Sequence, residues 1–193
     1  MSSQTTPRMS STARRAQILE IAAQEFADGG LRGASVEAIA QAAGITQPYV
    51  FRIFGSKKAL FLEVVAGSFG RLAESMRAAA EGRTGLDALA VMGARYNALL
   101  ADRTALQLQL QAYAACGDPE VRDAVRRHLA SLWETAASTG LDPVTIKTFL
   151  AYGMLLNTNA ALGLAEVDTR WARGIRTRIR PGLFRHITSR TNR

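Results

Sequence analysis

With 193 residues, 48% of them hydrophobic, the chain has the composition of a globular protein with one sizeable core or two small ones. No apolar run approaches the roughly 20 residues that span a bilayer, the polar start MSSQTTPRMSS lacks the apolar stretch of a secretory signal, and one cysteine forms no internal disulfide, so a cytoplasmic location away from membranes is expected. The net charge of +8 is unevenly spread: seven basic against four acidic groups in residues 1–58, nine against twelve in residues 59–169, and eight arginines with no acid in residues 170–193. A basic N-terminal end on a mildly acidic middle suits a localised nucleic-acid footprint better than nonspecific coating.

Residues 1–10, rich in Ser, Thr and Pro, are expected to be a disordered tail. From Ser11 an amphipathic helix begins, with Ile18, Leu19, Ala22 and Phe26 on one stripe, and Asp28-Gly29-Gly30 is expected to end it. Arg14 and Arg15 lie at its start, either as solvated surface or as phosphate contacts. The loop Leu31-Arg32-Gly33-Ala34 leads into the stretch around which the chain is organised, residues 35–58.

There the spacing predicts a helix-turn-helix. Ser35 can cap the first short helix, with Glu37 near the positive end of its dipole. Ile39 is its apolar core residue, and Ala40 is small enough for a second helix to cross closely. Gly44 suits a tight turn, Ile45 pins it, Thr46 can cap the second helix and Pro48 fits its first turn. Val50 returns to the core, which leaves Thr46, Gln47, Tyr49 and Arg52 on the outer face, where side chains meet base edges and phosphates. Ile18, Phe26, Leu31, Ile39, Val50 and Phe54 are the expected core of a three-helix headpiece. A small residue, a glycine and an apolar residue at such spacings also occur in ordinary helical hairpins, so the flanks decide.

The run Gly44-Ile45-Thr46-Gln47-Pro48-Tyr49-Val50-Phe51-Arg52-Ile53-Phe54-Gly55-Ser56-Lys57-Lys58-Ala59-Leu60 closely resembles the DNA-binding signature of TetR-family transcriptional regulators. The likeness extends upstream through residues 13–23 and Phe26, about the first third of the chain. Many members carry a tyrosine where Phe51 stands, and the resemblance makes that hydroxyl a phosphate contact; here the contact is either lost or taken over, with Tyr49 or Lys57 as the substitute. Gln47 and Tyr49 are the expected base readers, Thr46 and Arg52 contact base or phosphate, and Arg14, Lys57 and Lys58 contact phosphate. Ser35 and Pro48 complete the DNA-facing set.

Ser56 can cap a helix from Lys57 to about Ala80, with Leu60, Phe61, Val64 and Val65 toward the headpiece and Leu72 and Met76 toward the body. Family resemblance implies that the tilt of this shared helix sets the spacing of two reading heads. Further helices are expected over Leu86–Leu100, over Thr104–Ala115, from Pro119, and from Pro143 to about Leu164, with Asp142 as a cap. A last segment runs from Asp168 through Trp171, Ile175 and Ile179 to Pro181-Gly182. No alternating β run is visible. The expected fold is all-α: a helix-turn-helix DNA-binding domain (11–57) joined by a connecting helix to an α-helical ligand-binding and dimerisation domain (58–193).

The resemblance implies an inducer pocket in the body, for which Met92, Tyr96, Leu106, Leu110, Tyr113, Trp133, Phe149 and Tyr152 are the candidates. Taken singly, the aromatics among them read equally as core. A mostly apolar lining without an arginine cluster suits a neutral or lipophilic small-molecule inducer. Gly153, Leu156, Ala160, Gly163, Trp171 and Ile175 are the candidate homodimer interface, with intrachain packing as their alternative role. The arginine-rich tail reads first as a solvated helix face, with acidic surface across the dimer or DNA as its alternative contacts.

No catalytic or metal role is expected: Cys116, His128 and His186 lack metal-ligand spacing, and no glycine motif follows a strand. Nor is a cofactor expected. The sequence therefore points to a ligand-responsive, sequence-specific regulator, most simply a repressor, that binds double-stranded operator DNA as a homodimer. Its rivals are an architectural DNA binder without specificity and a small-molecule-binding helical enzyme.

Overall fold

The computed structural model describes residues 10–177, and among them every regular element is helical. The N-terminal tail ahead of Ser10, and Ile179, Pro181-Gly182 and the arginines beyond Arg176, lie outside the described residues. The helices are α1 (Ser11–Gly33), α2 (Val36–Ala42), α3 (Gln47–Phe54), α4 (Lys57–Ala79), α5 (Gly85–Leu99), α6 (Arg103–Ala114), α7 (Pro119–Ala137), α8 (Pro143–Ala161) and α9 (Arg170–Arg176), with a single 3-10 turn at Leu164–Glu166. No described helix is long and apolar enough to cross a membrane.

Side-chain caps set most of these starts. Ser10 Oγ accepts the Ala13 amide, Ser35 Oγ that of Ala38, and Ser56 Oγ that of Ala59. Asp118 and Asp142 cap α7 and α8 ahead of Pro119 and Pro143, the combination read from the sequence. Thr46 is the exception. It occupies the N-cap position of α3, yet its hydroxyl takes no cap hydrogen bond. Pro48 has no amide proton to offer, and the Tyr49 amide already bonds the Thr46 carbonyl at 3.0 Å. The expected cap is therefore replaced by backbone, and the hydroxyl stays exposed.

The end of α1 also differs from expectation. Helical structure continues to Gly33 across a break at Gly30, whose φ of 63° and ψ of −172° suit glycine alone. The Ala34 amide closes back on the Gly30 carbonyl at 3.2 Å. The residues expected as a loop thus form the last turn of a kinked helix.

The described chain falls into two compact units, one holding the chain up to Arg71 with Gln107–Leu129, the other Leu72–Leu106 with the chain from Ala130 onward. In the first, Ile18, Phe26, Ile39, Val50, Leu60, Phe61 and Val65 are all essentially inaccessible. Phe26 and Phe61 meet edge to face with ring centroids 5.1 Å apart. Leu31 is only half-buried, because it lies past the Gly30 break. In the second unit α5 packs on α8, and Ala73, Met76, Leu89, Met92, Leu132, Ala136 and Ile146 are buried. Polar groups share that interior: Thr135, Thr139 and Asn157 are each under a tenth exposed.

Candidate nucleic-acid interface

The turn between α2 and α3 is held by backbone. The Gly44 amide bonds Gln41 and the Ile45 amide bonds Ala40, both at 3.0 Å, with Gly44 at φ 64°. Val36, Ile39 and Ala40 are buried on one side of this corner, and Val50 and Phe54 on the other. Two short helices are thus fixed by their inner faces, and α3 keeps its outer face in solvent.

On that face Thr46, Gln47, Pro48, Phe51 and Arg52 are exposed and Tyr49 is half-buried. The Arg52 guanidinium lies 4.5 Å from the centre of the Tyr49 ring, so two of the expected DNA-facing side chains form a cation–π pair that holds the arginine in place. Phe51 is 38% exposed, a large apolar ring left in water on the reading helix. Ser35 is exposed but occupied as the α2 cap. Lys57 reaches the Arg32 carbonyl at 2.9 Å, across the start of α4.

Three basic side chains are committed elsewhere. Arg14 bonds Gln17 Oε1 at 2.8 Å and the Ala43 carbonyl at 3.0 Å, where it satisfies the C-terminal end of α2. Arg15 pairs with Glu63, bonds the Ile53 carbonyl and lies 4.5 Å over the Phe54 ring, tying α1 to α3 and α4. Lys58 lies between Asp118 and Glu120. Its expected phosphate role has no support from this placement, because two carboxylates beside one ammonium leave the spot net negative. Sequence reading missed the Glu25 carboxylate, which accepts the Ser35 amide at 2.7 Å and sets the entry to α2. A carboxylate ten residues upstream gives no local signal.

In the second unit the candidate pocket residues Met92 and Leu106 are buried, and Tyr96, Trp133, Phe149 and Tyr152 are half-buried. The Tyr96 hydroxyl donates to Asn157 Oδ1. Phe149 lies against Gly93, where an added Cβ would come within 3.3 Å of the ring. Leu110 and Tyr113 belong to the first unit, where Leu110 is exposed and Tyr113 meets Phe69 edge to face. The side-chain carbonyl of Asn159 is buried without a hydrogen-bond partner.

The candidate dimer residues divide by helix face. An added Cβ on Gly153 would lie 3.5 Å from the Tyr96 ring, so this glycine serves packing inside the unit, the alternative role held open for it. Leu156, Ala160 and Gly163 are likewise half-buried. In this part of the chain the large apolar side chains left in water are Met154, Leu155 and Leu162 in and just after α8, with Trp171 and Ile175 on α9. Small residues at helical spacing do not reveal which face turns inward. Among the described residues no group of three or more His, Cys, Asp or Glu is arranged to hold a metal ion.

A helix-turn-helix whose second helix presents polar, aromatic and basic side chains is the architecture of a DNA-binding domain. Residues 18–64 match the family model of the bacterial regulatory proteins, tetR family, so this segment is similar to the DNA-binding domain of that family. It is 34% identical over 99 residues to the HTH-type transcriptional repressor KstR2 of Rhodococcus jostii (strain RHA1), a match over 49% of this chain and 48% of that protein. The chain thus spans about half the length of the curated relative it matches. The fold matches the fatty acid degradation regulator FadR of Bacillus halodurans, with a TM-score of 0.67 and 17% identity over 89% of this chain and 94% of that one. FadR of Bacillus subtilis, solved in complex with stearoyl-CoA, matches with a TM-score of 0.68 and 17% identity over 83% and 94% of the two chains. At such identities the likeness establishes fold.

Proposed function

We propose that the protein is a homodimeric, ligand-responsive transcriptional repressor that holds a two-half-site operator with α3 of each copy in the major groove. The observation that carries this reading is the outer face of α3, where Thr46, Gln47, Tyr49 and Arg52 surround a helix fixed from behind. Gln47 and Tyr49 read bases, Thr46 and Arg52 reach base or phosphate, and Lys57 contacts phosphate. Arg14 supports the α2 end first and approaches the backbone second.

The exposed apolar groups of α8 and α9 support the dimer. Leu155, Leu162, Trp171 and Ile175 leave in water the kind of surface that a second copy covers, and two heads on one operator multiply affinity. The body favours a lipophilic inducer: the candidate pocket residues Tyr96, Trp133, Phe149 and Tyr152 are half-buried aromatics, and a structural relative holds stearoyl-CoA. Acyl-CoA thioesters are therefore the first ligand class to test. Ligand binding would favour a body conformation that spaces the heads wrongly for DNA.

The test is fluorescence anisotropy on the DNA upstream of the protein's own gene and on a scrambled duplex, across a salt series. Specific recognition predicts a preference of about a thousandfold or more at physiological salt. Acyl-CoA addition should then lower the affinity. Equal, steeply salt-dependent binding to both duplexes, and to fragments selected from the genome, would replace this reading with that of an architectural DNA binder.

A further inference from the structure

Lys57 and Lys58 are consecutive at the start of α4 but point apart, since adjacent residues on a helix are separated by about 100°. Lys57 reaches the last turn of α1, whereas Lys58 reaches the start of α7, with Nζ 2.5 Å from Glu120 Oε1 and 3.3 Å from Asp118 Oδ2. Asp118 is engaged twice. Its Oδ1 caps α7 through the Glu120 and Val121 amides at 2.9 and 3.2 Å, and its Oδ2 faces Lys58.

Lys58 and Asp118 side chains are 34% and 30% exposed, against 70% and 58% for Arg126 and Asp123, while Glu120 is 65% exposed. The Lys58–Asp118 contact is therefore less screened than a fully exposed pair, and the Lys58–Glu120 contact is closer to one. Hydrogen bonding to Glu120 holds the Lys58 ammonium above its ordinary pKa, and the Val121 amide holds the Asp118 carboxyl below its own. Both shifts favour the charged forms of Lys58 and Asp118.

Only Gly55 and Ser56 separate the end of α3 from Lys57, so whatever holds the first turn of α4 also holds the reading helix. A second contact from the same part of the chain acts on α1. Gln111 of α6 donates to the Ala27 carbonyl at 3.3 Å and fills the space where a side chain on Gly30 would lie. The segment from Gln111 to Glu120 thus touches both α1 and α4, away from the outer face of α3.

Resting on the DNA-binding reading above, we propose that Lys58 is a positioning residue: through Asp118 and Glu120 it keeps α4 and α3 in DNA-reading position, and it contacts no phosphate itself. A phosphate brought to Lys58 would meet two carboxylates.

A charge swap tests this with the full chain and the best-bound genomic duplex. Glu120→Lys adds positive charge, so a phosphate role for Lys58 predicts unchanged or tighter binding, whereas the clamp predicts a loss of about tenfold. Lys58→Glu should lose at least as much. The double variant K58E/E120K re-forms an opposite-charge pair and should return to within about threefold of the parent. A double variant as weak as K58E, or a tighter E120K, would overturn the proposal. Hydrogen exchange of the first-turn amides of α4 gives a DNA-free reading of the same series: faster in each single variant, restored in the double. If the parent binds no duplex at all, the DNA-binding reading falls and with it the DNA role of Lys58. Restored exchange in the double variant would still establish the clamp on α4, and unrestored exchange would refute that as well.

Discussion

The interiors of the two units are built differently. Around α1 to α4 the buried residues are apolar, and the large ones, Ile18, Phe26, Ile39, Val50, Leu60 and Phe61, leave almost no accessible surface. The second unit mixes Met92 and Ile146 with buried Asn157, Thr135 and Thr139, a Tyr96–Asn157 hydrogen bond and an unpartnered Asn159 carbonyl. It also leaves Leu155, Leu162 and Trp171 exposed. A reading head must hold side chains to within fractions of an ångström, which a filled apolar core does. The ligand and second copy proposed above for the other unit would each suit polar groups inside and apolar groups outside, at a cost to its own stability.

Breaking the filled core should have the largest effect. Phe26→Ala removes a fully buried ring and its contact with Phe61, and should cost about 3–5 kcal/mol in urea-induced unfolding. The corresponding change on the exposed face should leave the fold intact. Leu155→Glu is expected to keep the helical circular dichroism but weaken self-association by about a hundredfold in sedimentation equilibrium. An unchanged molecular mass would move the interface off this face.

The kink in α1 offers a sharper comparison. Gly30→Ala forces a Cβ to 2.4 Å from Gln111 Oε1 at a φ of 63°, and should cost about 1–3 kcal/mol. Adding Gln111→Ala removes the collision but not the backbone strain, so only part of the loss should return. Full recovery would show that the backbone there is less constrained than its geometry implies.

Two smaller effects concern single side chains. Asp142→Ala removes the acceptor of the Val144 and Thr145 amides, and should lower Tm by about 2–4 °C. His128 stacks on Phe69 with centroids 5.1 Å apart, and burial, followed by the nearby Arg127 charge, holds its pKa below the usual 6.5. As pH falls, the unfolded chain takes up this proton before the folded one. The stability due to neutral His128 is therefore complete above pH 6.5 and is lost as pH drops toward the lowered folded value. His128→Asn should make the fall in Tm between about pH 7 and 5 shallower than in the parent.

Much was legible in the amino-acid sequence because the signals were local. Ser35, Gly44, Pro48 and Val50 specify a helix-turn-helix through caps, a left-handed turn and the side on which apolar groups recur, all within sixteen residues. Asp118-Pro119 and Asp142-Pro143 mark helix starts by the same short-range chemistry. The all-α class and the exposed outer face of α3 follow from these.

Tertiary structure decided what depended on partners far away in the chain. Gly30 is a kink and not an end because the Ala34 amide closes on its carbonyl and Gln111 fills the space beside it. Gly153 serves Tyr96, and the water-facing side of α8 is the one bearing Leu155 and Leu162, a choice made by where α5 packs. Lys57 and Lys58 are identical in type and adjacent in sequence, yet one reaches the last turn of α1 and the other two carboxylates sixty residues on, because the helical twist between neighbours sends them to different parts of the fold.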